Sequence, residues 1–171
     1  MLEERAGWFV VNVKDARWTA RGDHFGKMGL FEKPDEPFPE IGIHVFVLEP
    51  GKPNCRYHRE DAQEDLLVLS GRCRLLVNGE QRILETWDFV HFSAGVTHVV
   101  VGLDAPCAVL FVGHRADPEP ALFYPASEIA RRYGAEAPEP TSDPKVAYSD
   151  APRRTTVEAP PWPLTHRVRG A

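Results

Sequence analysis

The segment LLVLSGRCRLLVNGEQRIL, residues 66–84, decides the fold class. It contains three short apolar runs, LLVLS, CRLLV and QRIL, which are separated by glycine and polar residues. Runs of this length that are rich in Val, Leu and Ile are typical of β-strands. The pair Asn78-Gly79 stands between the second and third runs and favours a two-residue type I′ hairpin, because both positions need positive φ. The segment therefore predicts antiparallel strands joined by tight turns.

The same pattern continues on both sides of this segment. Further runs of strand length are IHVFVL (43–48), DFVHF (88–92), THVVV (97–101) and CAVLFV (107–112). None of the 16 prolines lies between Cys55 and Ala105. A regular sheet can form in this window, because a proline would remove a ladder hydrogen bond. Strands at this spacing, with no helical pattern between them, predict an all-β sandwich or barrel.

The ends of the chain carry weaker patterns. WFVVNV (8–13) and MGLF (28–31) predict outlying strands. A short helix is predicted near residues 127–134, with Ser127 as its N-cap and Gly134 as its stop. We expect three parts, namely N-terminal strands that pack on or swap with the barrel (1–41), the barrel (42–115) and a C-terminal helix with a proline-rich arm (116–171).

The arm from about residue 136 holds too much proline for a packed element. An extended segment laid over the barrel and a mobile tail are both compatible with this composition. Tyr148 and Trp162 favour the docked form, because an exposed Trp leaves a large apolar surface in water.

Composition limits the function classes. The 171 residues suffice for one domain with its own core, and the net charge of −5 gives no bulk attraction for nucleic acid or acidic membranes. No uncharged run approaches the ~18–20 residues of a membrane helix, and the opening MLEERAGWFV lacks the features of a signal peptide. Three cysteines without a CxxC pair favour a reducing compartment. We therefore expect a cytoplasmic protein with no nucleic-acid or membrane partner.

Four side chains of metal-binding type fall at even positions: His58, Glu60, Glu64 and His98. Residues i and i+2 of a strand face the same way, so His58 and Glu60 can converge on one interior point. Glu64 shares its parity with the apolar Leu66, which predicts a carboxylate at the mouth of the barrel interior. A buried carboxylate is costly unless it is neutralised, and a divalent cation is the simplest partner.

These residues resemble the two motifs of the cupin family. The first motif has a glycine, His-x-His, a Glu and, after six residues, a second glycine; it is matched by Gly51, His58-x-Glu60, Glu64 and Gly71. The second has glycine-Asp, four residues, proline-x-glycine, two residues and a histidine; it is matched by Asp88, Ser93-Ala94-Gly95 and His98. The resemblance covers about residues 42–114. It implies a double-stranded β-helix, or jelly roll, with a divalent metal ion inside the barrel.

The main departure from the family pattern is Glu60, which stands where a second histidine is expected. If all four residues bind, two imidazoles and two carboxylates surround the ion, and two carboxylates balance its 2+ charge. Such a set favours Zn, Fe, Mn or Ni over Cu(I). Glu60 also lies in the acidic stretch 59–65, which is typical of a solvated face, so its role as a ligand stays open.

Two other histidines lie near the motifs. His91 in DFVHF has odd parity, so we interpret it as a packed residue or one that supports the site from outside, not as a ligand. His44 in IHVFVL either points into the barrel near the site or out to solvent.

The leading functional hypothesis is a metal-dependent enzyme, of dioxygenase or isomerase/epimerase type, that acts on a small organic molecule inside the barrel. No catalytic residue apart from the ligands is identified, and no organic cofactor is predicted. The alternatives are a non-catalytic module that binds a small molecule or a metal, and a metal-free jelly roll in which Glu60, in place of the second histidine, abolishes metal binding. We also expect a homodimer, because the strand at 8–13 can add to the sheet edge of a second copy.

Overall fold

A computed structural model describes residues 3–5, 7–115 and 121–161. Within these ranges the strands are β1 Glu3–Arg5, β2 Trp8–Val10, β3 Arg17–Ala20, β4 Lys27–Leu30, β5 Ile41–Leu48, β6 Arg59–Glu60, β7 Glu64–Ser70, β8 Arg72–Val77, β9 Glu80–Glu85, β10 Phe89–Phe92, β11 His98–Gly102, β12 Cys107–His114, β13 Leu122–Phe123 and β14 Thr155–Val157. The helices are a 3-10 helix, Val13–Asp15, and two short α-helices, α1 Glu128–Arg132 and α2 Pro144–Ala147.

All strand pairs are antiparallel, and two sheets enclose the core. The larger sheet has seven strands in the order β10-β7-β12-β5-β4-β3-β14, and the smaller has the order β11-β8-β9. Strands β1 and β2 pair with each other, as do β13 and β6. The all-β architecture is the one that the strand pattern predicts, and it agrees with the jelly roll that the family resemblance implies. Each strand predicted between residues 43 and 112 is present, with its ends shifted by at most two residues.

The predicted hairpin between β8 and β9 is confirmed. Asn78 and Gly79 have φ of 46° and 82°, as a type I′ turn requires. Val77 therefore pairs directly with Glu80, and this register aligns the inward side chains of the small sheet.

The core lies between the inner faces of the two sheets. Alternation along β7 turns Leu66 and Val68 inward, and both are fully buried. The buried residues of this cluster are Phe46, Leu48, Leu66, Val68, Cys73, Leu75, Leu84, Phe92, Val100, Cys107, Val109 and Phe111. Glu64 shares the inward face of β7, so a carboxylate stands at the end of an otherwise apolar wall.

The N-terminal segment extends the larger sheet. Strands β4 and β3 continue it beyond β5, and β3 is not predicted from the sequence. The strand predicted at 8–13 stops at Val10, because the Asn12 side chain accepts a hydrogen bond from the Lys14 backbone N–H and starts the 3-10 helix.

The C-terminal segment corrects one expectation. Helix α1 begins after Ser127, whose Oγ accepts from the Ala130 N–H, and the chain leaves it at Gly134 with φ of 66°. Beyond residue 136, however, the arm does form packed elements, α2 and β14. Pro144 opens α2, at a position that needs no N–H donor, and the Asp143 side chain caps it. Trp162 lies outside the described residues.

Among the described residues, no helix has the length and apolar character that crossing a membrane would need.

Candidate metal centre

His58 and His98 are brought together by a backbone pairing. The His98 N–H donates to the His58 carbonyl at 2.8 Å, and the His58 N–H donates to the His98 carbonyl at 3.2 Å. Residues paired in this antiparallel way project their side chains to the same side. The two imidazole centroids are accordingly 5.3 Å apart.

Both imidazoles are oriented by the carbonyl two residues earlier in the chain. Nδ1 of His58 lies 2.9 Å from the Arg56 carbonyl, and Nδ1 of His98 lies 3.1 Å from the Val96 carbonyl. A carbonyl only accepts, so each Nδ1 carries a hydrogen and Nε2 is the ring atom available to a ligand once it has lost its own proton. This is the arrangement in which proteins hold metal-ligating histidines.

Glu64 completes a group of three. Its Oε2 lies 2.8 Å from Nε2 of His98, and the potential ligand atoms of His58, Glu64 and His98 all lie within 4.8 Å of one another. Desolvation by burial would raise the pKa of Glu64, but the hydrogen bond and charge of His98 outweigh it, and the pKa is lowered. Desolvation, followed by the charge of His98, lowers the pKa of His58. Near neutral pH the group therefore offers neutral His58 and a carboxylate.

The donor set fits a divalent cation. Zn–N and Zn–O bonds of about 2.0–2.1 Å in tetrahedral geometry place neighbouring ligand atoms about 3.3 Å apart. The three donor atoms lie within 4.8 Å, so small side-chain rotations would bring them to that spacing. Two imidazoles and one carboxylate leave open coordination positions, as catalytic Zn and non-haem Fe(II) sites do.

Glu60 does not join this group in the structure. The pairing of this segment with β11 ends at His58, and β6 then pairs Glu60 with Leu122 of β13. Its carbonyl accepts a hydrogen bond from the Gly95 N–H at 2.7 Å, and its charge contributes to raising the pKa of Tyr124. The i, i+2 rule that predicts convergence of His58 and Glu60 needs a regular strand through both residues. Here the strand begins only at Arg59.

His91 is not a ligand in this arrangement, as the parity predicts. It lies on β10 with its side chain 49% exposed, and its Nδ1 is 2.7 Å from Asp65 Oδ1. Neither residue belongs to the inward face that carries Glu64. The expectation of a packed His91 is not met, because its face of β10 is open to solvent.

Aromatic rings and a thiol line the group. Phe92 stacks on His98 with centroids 3.9 Å apart and an angle of 6° between the planes, and Tyr124 lies 5.8 Å from the His58 ring. Cys55 Sγ lies 3.6 Å from His58 Nδ1. Burial raises the pKa of Cys55, and burial raises the pKa of Tyr124 to about 12, so both keep their protons at neutral pH.

The sequence did not identify Tyr124 as part of the site, because it follows the barrel strands at a long separation in the chain. His44 was left undecided. In the structure it pairs with the buried Phe111, so it shares the inward face of the larger sheet. Desolvation by burial lowers the pKa of His44. Beside it, Gly113 leaves the wall next to Glu64 without a side chain, and an added Cβ would lie 3.5 Å from Oε1 of Glu64.

The comparisons with known proteins agree with this architecture. The model of the family described as "Cupin domain" matches residues 44–113. A sugar phosphate isomerase from a cupin superfamily, from Silicibacter pomeroyi, is 24% identical, with a TM-score of 0.52 over 58% of this chain and 64% of that chain. A polyketide cyclase from Streptomyces resistomycificus is 14% identical, with a TM-score of 0.53 over 61% of this chain and 78% of that chain.

A DMSP lyase from Ruegeria pomeroyi is 22% identical, with a TM-score of 0.49 over 66% of this chain and 58% of that chain. The match thus spans less than two thirds of the isomerase and lyase structures. At these identities the isomerase and cyclase likenesses show the fold alone. A search of the curated proteins found no significant match.

Proposed function

We propose that the protein is a metal-dependent enzyme that acts on a small organic molecule inside the barrel, since residues 44–113 match the cupin domain model. Its ion is a divalent one, held by His58, Glu64 and His98. The observation that carries the proposal is the convergence of these three donors within 4.8 Å at the end of an apolar interior. An ion there would neutralise the carboxylate that burial otherwise disfavours.

The reaction we propose is of isomerase/epimerase or dioxygenase type. When bound, a divalent ion would supply a Lewis acid for a substrate oxygen or, as Fe(II), a redox centre. The metal set of two imidazoles and one carboxylate favours Fe or Zn among the four ions expected from the sequence, Zn, Fe, Mn and Ni.

The surrounding residues have separate tasks. Phe92 and the apolar barrel wall exclude water from one side of His98, which strengthens electrostatic interactions at the site. Tyr124 keeps its hydroxyl proton, since its pKa is about 12, and can donate a hydrogen bond to a substrate oxygen. His44 is the additional imidazole of the inner wall among the described residues, and its lowered pKa leaves it neutral and able to accept a proton.

A non-catalytic binding module is the second candidate function. Cys55 and Tyr124 are both protonated at neutral pH, so neither is a ready nucleophile or base. A site with this lining can hold a metal and a small molecule without turnover.

Metal analysis with a turnover screen tests the proposal. Protein purified without added metal is expected to carry about one divalent ion per chain, and His58→Ala and Glu64→Gln are expected to lose it. The metal-loaded protein is then screened with sugar phosphates for isomerisation and with small organic acids for O₂ consumption. Stoichiometric metal without turnover favours the binding module. Substoichiometric metal that is unchanged in both variants removes the enzyme proposal.

We also propose a homodimer. Strand β2 pairs only with β1 among the described strands, and its Trp8 and Val10 are 53% and 57% exposed. A second copy can cover this apolar surface and the free strand edge. Light scattering at micromolar concentration should give twice the chain mass of 19.2 kDa, and a monomer mass would contradict the dimer.

A further inference from the structure

The inner face of the larger sheet continues past the barrel and carries arginines. Thr19 pairs with Met28, and Met28 pairs with the core residue Phe46, so all three share one face of the sheet. Alternation along β3 places Arg17 on this same face, and Arg21 directly follows the last residue of the strand. The intervening Trp18 faces the opposite side, where it belongs to a separate apolar cluster.

The C-terminal arm adds a third arginine to this surface. Nη1 of Arg154 lies 3.1 Å from Thr19 Oγ1 and 3.5 Å from Met28 Sδ. Desolvation by surrounding protein atoms, followed by the positive charge of Arg21, lowers the pKa of Arg154, although the residue as a whole is exposed. Arg17 also contributes to this shift.

Arg21 and Arg154 donate hydrogen bonds to uncharged groups, and Arg21 Nη1 lies 3.5 Å from the Pro152 carbonyl. The three arginines differ from other arginines of this protein in having no carboxylate partner among the described residues. Arg56, for comparison, binds Asp150 at 2.5 Å and donates to the carbonyls of Ala147 and Glu136. Among the described residues, no carboxylate forms an ion pair with Arg17, Arg21 or Arg154. The Nε atoms of Arg17 and Arg21 are buried and have no hydrogen-bond partner. A buried donor without an acceptor is costly, and a bound oxyanion would satisfy both donors.

Aromatic rings connect this cluster to the candidate metal centre. The Arg21 guanidinium lies over the Tyr148 ring, 4.4 Å from its centroid. Tyr148 is 6.1 Å from Tyr124, whose ring is 5.8 Å from that of His58. A chain of aromatic contacts therefore links Arg21 to the His58 imidazole.

We propose that Arg17, Arg21 and Arg154 form an oxyanion-binding subsite for a carboxylate or phosphate group of the substrate. The inference rests on the proposed function and narrows its substrate class to small organic anions. A guanidinium pairs with either oxyanion through two parallel N–H···O bonds, so the shared chemistry is a planar, bidentate contact. The C-terminal arm then has a role, since it supplies Arg154 and the Tyr148 ring.

Calorimetric titration with inorganic phosphate and with acetate tests the subsite, at constant ionic strength set with chloride. The full-length protein is titrated as purified and again after dialysis against a chelator. Loss of one charge-assisted contact is expected to weaken the binding of at least one of these anions about 10- to 100-fold in Arg21→Gln and Arg154→Gln. Arg153→Gln is the matched control, because it removes the same charge from the neighbouring exposed residue and should change the affinity less than twofold.

The outcomes separate the subsite from the metal. Anion binding that survives chelation and weakens in Arg21→Gln and Arg154→Gln supports the subsite, even where metal analysis removes the proposed enzyme. Binding that disappears with the metal and is unaffected by these substitutions overturns the subsite and leaves the metal proposal standing. The subsite is equally overturned if neither anion binds, or if Arg153→Gln weakens binding as much as Arg154→Gln.

Thermal unfolding adds a second readout. Three positive charges with no carboxylate partner among the described residues repel one another in the ligand-free protein. Loss of this repulsion should offset the loss of the Arg154 hydrogen bond to Thr19, so Arg154→Gln is expected to leave Tm unchanged or raise it. A clear fall in Tm would identify Arg154 as a structural residue and count against the subsite.

Discussion

Replacing His98 with alanine would remove the most buried member of the candidate metal centre. The His98 side chain is 3% exposed, stacks on Phe92 at 3.9 Å and lies 2.8 Å from the Glu64 carboxylate. His98→Ala therefore empties a packed space and leaves Glu64 without its partner. It also removes one of three potential ligands.

The expected cost in the metal-free protein has two parts. Truncation of a buried aromatic ring to alanine costs about 3 kcal/mol at the lower end of the measured range. The unpaired Glu64 carboxylate adds about 1 kcal/mol, near the lower end for a buried polar group, because its side chain is 20% exposed and water can reach it. The total of about 4 kcal/mol corresponds to a fall in Tm of roughly 8–16 °C for a chain of this size.

His91→Ala is the matched control for this experiment. His91 also contacts a carboxylate, Asp65, at 2.7 Å, but its side chain is 49% exposed. An exposed pair of this kind is worth less than about 1 kcal/mol, so Tm should fall by less than about 4 °C.

Differential scanning calorimetry with and without added Zn²⁺ or Fe²⁺ measures both effects. At an ion concentration 100 times the dissociation constant, binding should stabilise the wild type and His91→Ala by about 2.7 kcal/mol, and His98→Ala should show no such gain. Equal losses of Tm in the two variants would refute the stability argument. A metal-dependent gain in His98→Ala would refute its assignment as a ligand.

Three further predictions address other groups. Desolvation lowers the pKa of His58 and of His44 below the ordinary value of 6.5, so these histidines take up protons more readily in the unfolded chain than in the folded one. The metal-free protein should therefore lose stability as pH falls below about 6.5. Urea unfolding at pH 7.5, 6.5 and 5.5 measures this trend, and its absence contradicts the prediction. Glu64→Gln should lower the bound metal well below one ion per chain, whereas Glu60→Gln should retain about one ion. Elemental analysis measures both, and loss of metal in Glu60→Gln alone would identify Glu60 as the ligand instead of Glu64. Gly102→Ala should destabilise the protein by about 2–3 kcal/mol in the same unfolding assay, because its Cβ would overlap the Glu49 backbone carbonyl. A variant as stable as the wild type would show that the backbone shifts at little cost and would contradict this prediction.

The barrel was predictable because its signals are local. Alternation along residues 64–70 determines which side chains can face the core, and Asn78-Gly79 determines the register of the hairpin that follows. The same parity places Glu64 and His98 on inward faces before any tertiary contact is known. The convergence of these two residues with His58 follows from strand pairing that the family motifs also imply.

The remainder of the site depends on contacts that local patterns do not encode. The even spacing of His58 and Glu60 predicts convergence of their side chains only if one unbroken strand runs through both residues. Between them the chain changes its pairing partner from β11 to β13. Tyr124 reaches the site through the pairing of β13 with β6, across more than 60 residues of sequence. The C-terminal arm was expected to lack packed elements because of its prolines, yet Pro144 stands at the start of a helix, where proline is favoured.

The net charge of the chain and the charge of its site lead to different conclusions about anions. A total of −5 excludes a bulk attraction for nucleic acid, since that attraction depends on charge spread over a large surface. A small anion responds instead to the groups within a few ångströms, where screening by salt is weakest. A 2+ ion with one ionised carboxylate would carry a residual charge of +1, and Arg17, Arg21 and Arg154 would add three more positive charges on the inner face of the larger sheet. The negative net charge of the chain is therefore compatible with a local cluster of three arginines. Together they favour a small, negatively charged substrate over a polymeric one.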